Sequence, residues 1–259
     1  MRLYILASAE PLFKPRVLSR ILLSRWRDVI GVAEVGIPRA KSGRLAAMLD
    51  HYRVMGWRYF LFMGFYKRLL TVLARMPIPS FIKSNLSIAN ACARFAVPCE
   101  YVTDVNDPEI IRRLSLSEPD VLVSFQGQIF SPELLSVARI ACINCHPSIL
   151  PKYRGRWPIL AAMLNQDATI GVTVHTMTER IDMGTILSGK EFATSRDRSF
   201  MDNCSLAHEL YAEVILEALD VLESGEISGF PRVPADAPYY RGPSAEDMCR
   251  FRSYGLKML

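Results

Sequence analysis

Acidic residues are scarce at the front of this sequence. Residues 1–80 hold four Asp/Glu against fourteen Lys/Arg, while the whole 259-residue chain is only +5. The asymmetry suggests a basic face on the N-terminal half, which could meet phosphate, a polyanionic cofactor tail, nucleic acid or an anionic membrane surface. A solvated, Arg-rich helix face would read the same way. Long apolar runs are missing as well. No stretch of about 18 uninterrupted apolar residues occurs, which argues against a spanning helix. The apolar part of MRLYILASAE is too short for a signal h-region and reads as a first strand. Cysteines are few and scattered, at Cys92, Cys99, Cys142, Cys145, Cys204 and Cys249. Without a secretory start, reduced thiols and a cytoplasmic location are the expectation. Internal repeats, low-complexity tracts and a domain-separating linker are also absent.

What is present is a large apolar fraction, 50% of residues, enough for a sizeable core without staples. Residues 2–8 read as a strand, 12–26 as a helix and 29–35 as a second strand. This order opens a parallel α/β sheet. Residues 45–75 break the rhythm with one or two helices dense in aromatic and basic residues, ended by the prolines of 76–80. The sheet pattern then resumes. Helices are predicted at 84–96, 107–115, 131–138 and 157–165, and strands at 99–103, 120–125, 140–145, 170–177 and 185–193. A loop is expected at 148–156. A long helix at 199–223 precedes a tail that is mostly loop, with a short helix near 244–253.

Three features carry chemistry. Asn144 and His146 end a predicted strand, and alternate strand residues share a face, so both can look into one pocket. An amide can donate to a developing oxyanion, and an imidazole can handle an amine's proton. A structural His beside an Asn is the blander alternative. Ser148-Ile-Leu-Pro-Lys-Tyr-Arg-Gly155 follows as a rigid, exposed loop, or simply a connection. Gly171-Val-Thr-Val-His175 then leads to Glu179-Arg-Ile-Asp182-Met-Gly184, a tight loop able to bring Asp182 beside another strand end. Cys142-Ile-Asn-Cys145-His146 also fits the c-type haem attachment pattern. It lies in a segment that reads as a buried strand, and no second cysteine pair supports zinc.

In this order the features resemble the folate-dependent formyltransferase family. The shared pattern is Asn-x-His, then Ser-Leu-Leu-Pro-x-aromatic-Arg-Gly, a Gly-x-Thr strand and an Asp-x-Gly loop. This sequence supplies Asn144, His146, Ser148, Leu150, Pro151, Tyr153, Arg154, Gly155, Gly171, Thr173, Asp182 and Gly184. Phe125-Gln-Gly-Gln-Ile-Phe130 looks like the family's pterin-pocket segment. Pro147, Ile149 and Thr176 depart from the pattern and leave the subfamily open. The resemblance implies a Rossmann-like α/β fold, with a mostly parallel sheet flanked by helices. It also implies a catalytic domain over 1–195, a helical insertion at about 40–80, and a C-terminal helix and extension, 196–259, packed on the same domain.

The resemblance further implies 10-formyltetrahydrofolate as co-substrate, with no metal. Asn144, His146 and Asp182 would be catalytic, and Asp182, partly buried among polar groups, is expected to have a raised pKa. Phe125, Gln126, Gly127, Gln128, Ile129, Phe130, Ser148, Arg180 and Ile181 would contact the folate. The partner would be a small-molecule amine acceptor, with a nucleotide-linked amino sugar first. An amino acid or hydroxylamine precursor comes next. Methionyl-tRNA, and nucleic acid generally, is disfavoured because those enzymes usually carry a further β-barrel. A folate-fold binding or regulatory protein without turnover is the non-enzymatic alternative. The 45–75 segment, with Tyr52, Trp57, Tyr59, Phe60, Phe62, Phe65 and Tyr66 among Arg53, Arg58, Lys67 and Arg68, could pack in the core, form a lid, contact a second copy in a homodimer, or lie on a membrane surface.

Overall fold

The computed structural model describes residues 1–36 and 44–259. The chain runs β1 (Leu3–Ser8), α1 (Lys14–Arg25), β2 (Val29–Val35), α2 (Arg44–Arg75), α3 (Ser80–Lys83), α4 (Ile88–Arg94), β3 (Cys99–Val102), α5 (Pro108–Leu116) and β4 (Val121–Phe125). It continues with α6 (Pro132–Leu135), β5 (Ala141–His146), β6 (Arg154–Gly155), α7 (Pro158–Leu164), β7 (Thr169–Thr176), β8 (Ile186–Ala193), α8 (Phe200–Ser224), β9 (Tyr239–Tyr240) and α9 (Ala245–Ser253). Seven strands form one sheet in the order β3-β2-β1-β4-β5-β7-β8. The first five are parallel, while β7 runs antiparallel to β5, and β8 to β7. This is the mostly parallel, Rossmann-like α/β architecture.

The sequence explains the order. Parallel strands are covered on both faces, so β1 and β4 are buried almost continuously and are mostly apolar rather than alternating. One face meets α1, α4, α7 and α8 through Ile5, Leu18, Leu22, Val123, Ile143 and Ile215, all essentially inaccessible to solvent. The other meets α5 and α6 through Leu6, Leu114, Leu122 and Leu134. Each such side chain stabilises the fold by about 1.5–3 kcal/mol on burial. The long helix α8 starts on a Ser199/Asp202 capping box and stops at Gly225 in the left-handed conformation.

The structure revises several boundaries. The helix expected at 84–96 is the shorter α4, which starts where the Ser87 hydroxyl accepts from Asn90 N, and one further turn, α3, precedes it. The helix expected at 131–138 is one turn, α6. The loop at 148–156 and the tail both contribute to a small sheet, in which β6 pairs with β9. The expected insertion takes in 37–43, which lie outside the described residues. Its helical part, α2, bends at Gly56, whose φ is 76°.

Candidate active site

Strand alternation turns Cys145 toward α1 and α8, and turns Asn144 and His146 to the opposite side. The antiparallel partner β7 then decides what faces them: Asn144 sits across from His175, and His146 from Thr173. His146 is buried, and its Nε2 lies 3.1 Å from the Tyr153 carbonyl oxygen. A carbonyl only accepts, so this contact assigns the ring proton to Nε2 and leaves a lone pair on Nδ1. That Nδ1 is 3.7 Å from Asp182 Oδ2. On the other side of the carboxylate, His175 Nε2 lies 3.5 Å from Oδ1. This is an electrostatic approach rather than a directed hydrogen bond, since His175 Nε2 has no hydrogen-bond partner among the described residues. His175 Nδ1 contacts the Thr176 carbonyl at 2.8 Å.

Two loops hold the carboxylate in place. Gly155 N donates to Asp182 Oδ2 at 2.8 Å. Arg154 donates through Nε and Nη2 to the Ile181 carbonyl, and through Nη1 to that of Ala237. The Arg-Gly pair of the loop therefore fixes the acid-bearing turn, and Gly155 also lines the cavity. Gly155 has φ +100°, and a side chain there would run into the Tyr240 carbonyl and the Tyr239 ring. Gly155→Ala is expected to destabilise the fold by about 1–3 kcal/mol and to release Asp182. Thermal melting and turnover of the purified variant check both, and an unshifted melting point with full turnover is the contrary result.

The charges follow from this geometry. Burial pushes the His146 imidazole below its ordinary 6.5; the Asp182 carboxylate pulls it back only in part, and His175 pushes it down further. His146 is thus a neutral base at physiological pH. Burial alone would raise the Asp182 carboxyl, but the His175 and His146 imidazoles and the Gly155 N–H outweigh it and hold the group at about 2. The expectation of a raised carboxyl is corrected on that ground. Asp182 stays ionised and acts as a fixed negative charge beside a base.

A cavity of about 460 Å3 lies over the carboxyl ends of β1, β4 and β5. Asn144, His146, His175 and Asp182 line it, as do Ile181 and every residue of Phe125–Phe130. Within that segment the Gln128 side chain is already engaged by Gly36 O, Thr103 O and Val105 N, and the Ile129 carbonyl by Asn106. Ser148 and Arg180 fall outside the lining. Ser148 is buried and donates to Lys152 O, while Arg180 is exposed and reaches Ala235 O. Both staple loops. Cys142 and Cys145, an odd number of strand residues apart, point into opposite cores, so two thioethers from them could not meet one haem.

Sequence reasoning missed two residues. His175 has no role legible in its motif, because its place across from Asn144 depends on an antiparallel register that one strand does not reveal. Lys14 opens α1 and is only 9% exposed. Its Nζ lies 4.6 Å from the Tyr211 ring centre and 5.5 Å from that of Phe125. No hydrogen bond or ion pair reaches it among the described residues. Burial lowers its pKa to about 8.

An amide, a neutral imidazole and an ionised carboxylate stand together at the carboxyl edge of an open α/β sheet, a set able to donate to a developing oxyanion and to accept a proton. The family model described as formyl transferase matches residues 80–219, more than half of the chain, and the chain belongs to that family. It is 37% identical over 139 residues to the methionyl-tRNA formyltransferase of Borrelia garinii subsp. bavariensis, covering 53% of this chain and 43% of that one. It is 32% identical over 177 residues to that of Roseiflexus castenholzii, covering 67% and 54%. The chain thus spans about half the length of the curated relatives it matches. Among solved structures, glycinamide ribonucleotide transformylase 1 from Symbiobacterium toebii superposes with a TM-score of 0.60 at 14% identity, covering 90% of this chain and 94% of that one. A sugar N-formyltransferase from a Shewanella species gives 0.56 at 16%, covering 96% and 87%. These two likenesses bear on the fold.

Proposed function

We propose that this protein transfers a formyl group from 10-formyltetrahydrofolate to the primary amine of a small acceptor, a nucleotide-linked amino sugar first. The observation that carries the reading is the Asp182 carboxylate, held between two imidazoles beside an Asn144 amide that no described residue engages. Such an open donor at the cavity wall fits a formyl oxygen, and the bound folate would supply the activated one-carbon unit. As the amine nitrogen bonds to the formyl carbon, Asn144 donates to the oxygen gaining charge, a contact typically worth about 2.7–4 kcal/mol in the barrier. His146 Nδ1 takes the amine's proton, and Asp182 stabilises the imidazolium this creates. The proton then passes to the departing folate nitrogen as its bond to the formyl carbon breaks.

Methionyl-tRNA is the second reading, favoured by the activity named for the relatives at 37% identity. The deciding experiment is incubation of the protein and 10-formyltetrahydrofolate with a panel of sugar, amino-acid and aminoacyl-tRNA amines, read by a mass gain of one CO. No product from any class would remove the catalytic reading and leave a folate-fold binding protein.

Lys14 supports an acid group on the acceptor. A buried ammonium that no anion touches directly, with Glu10 acting on it only at longer range, is costly unless a ligand completes it. The backbone N–H groups that lead into α1 are already taken, because Glu10 accepts from Leu12 N and Phe13 N. The side chain is therefore the charge available to an anion there. A charge-assisted contact of about 1.5–3 kcal/mol translates to a roughly 10- to 100-fold rise in acceptor KM for Lys14→Met. The donor KM should stay put. A rise in donor KM instead would assign Lys14 to the folate tail.

A further inference from the structure

The second half of α2 is apolar on two sides. One side packs inward through Met55, Tyr59 and Leu70. The other carries Trp57, Leu61, Phe65, Leu69 and Val72, which recur every three or four residues as a continuous helical stripe, and Met76 continues it just past the helix end. This outer stripe faces solvent: Leu61 is 65% exposed, Phe65 70% and Val72 57%. Phe81 and Ile82 of α3 extend the patch. Side chains of this size rarely gather on a free surface.

Charge says what covers them. Residues 51–99 contain seven Lys/Arg and no Asp/Glu. Arg68 and Arg75 follow Leu61 at seven-residue steps, so they border the stripe along its length. No ion pair reaches Arg58, Lys67, Arg68 or Arg75 among the described residues. A two-fold contact with a second copy would lay this cationic surface on itself and repel. An anionic bilayer surface complements both the charge and the apolar stripe. Among the described residues no helix is long and apolar enough to cross a membrane, so the helix would lie in the interface.

We propose that α2 and α3 dock this protein on anionic membrane surfaces, with the Leu61–Phe65–Val72 stripe seated among the acyl chains and the flanking cations on the headgroups. The inward side of the helix joins the main core. Tyr59, on its inward side, packs into the core that holds Cys204 and Tyr211, the latter stacked under Lys14.

The test is co-sedimentation of the full chain with vesicles of phosphatidylcholine, alone or mixed with phosphatidylglycerol. The expected result is partition onto the mixed vesicles that weakens with added salt, and that drops at least about tenfold in Leu61→Ser/Phe65→Ser/Val72→Ser. These side chains are exposed, so the triple variant should melt with the wild type and its loss of binding cannot be blamed on unfolding. Failure of the intact protein to bind the mixed vesicles, or equal binding by the triple variant, overturns the proposal. So does a solution dimer that the triple variant splits without any vesicle binding, which would give the face to a second copy. No turnover is involved, so the outcome is independent of the reaction proposed above.

Discussion

Replacing His146 by Ala should lower kcat by about 10²–10⁴-fold, the usual worth of a positioned proton acceptor, with both KM values within a few-fold. The reason is local. The Tyr153 carbonyl assigns the proton to Nε2, so only Nδ1 is free to take one, and it lies 3.7 Å from the carboxylate that would stabilise the result. The sign of the pH dependence follows. The neutral ring is the working form, and its folded value is below 6.5. Activity should therefore be full at neutral pH and fall as pH drops through that lowered value. Stability moves the same way. The unfolded chain accepts the proton more readily, so the native protein should lose stability relative to the Ala variant as pH falls below 6.5. A variant with wild-type kcat, or an acid limb unchanged in it, would show that His146 is not the base.

Asp182→Ala should cost a comparable factor, about 10²–10⁴, by a different route. The carboxylate sets the charge around His146. Its removal takes away the group that pulls the His146 value upward, so the ring should titrate at still lower pH. An NMR titration of the imidazole reads this without turnover, and an unmoved titration would refute the electrostatic role. Stability adds a second signature. A carboxyl held at about 2 instead of 3.8 contributes roughly 2 kcal/mol above pH 4. That contribution is lost as pH falls from about 4 to 2, where wild type and variant should converge.

Much of this was legible in the residues. Apolar runs such as VLVSF before a loop and a helix write parallel strands directly, and Asn144 and His146 share a face by alternation alone. The Asp-x-Gly turn could be placed near them only through resemblance, because the contact with Asp182 spans the chain from 146 to 182. What sequence could not show is register and loop-to-loop bonding. His175 gains its place from an antiparallel pairing. Ser148, offered as a folate contact by the resemblance, lies outside the cavity because the chain turns and buries its hydroxyl against Lys152 O. The Asp182 value inverted the expectation because burial, the visible factor, was outweighed by two imidazoles contributed by different strands.

The short β6–β9 pairing has a wider consequence. Tyr239 and Tyr240 pair with Arg154 and Gly155, Ala237 accepts from Arg154, and Ala235 accepts from Arg180. The tail is thus a splint across two loops that start on different strands. Changes there bear on the pitch of the Asp182 turn and, through Tyr239, on the cavity wall itself, so the segment after α8 is a handle on the site from outside the main sheet.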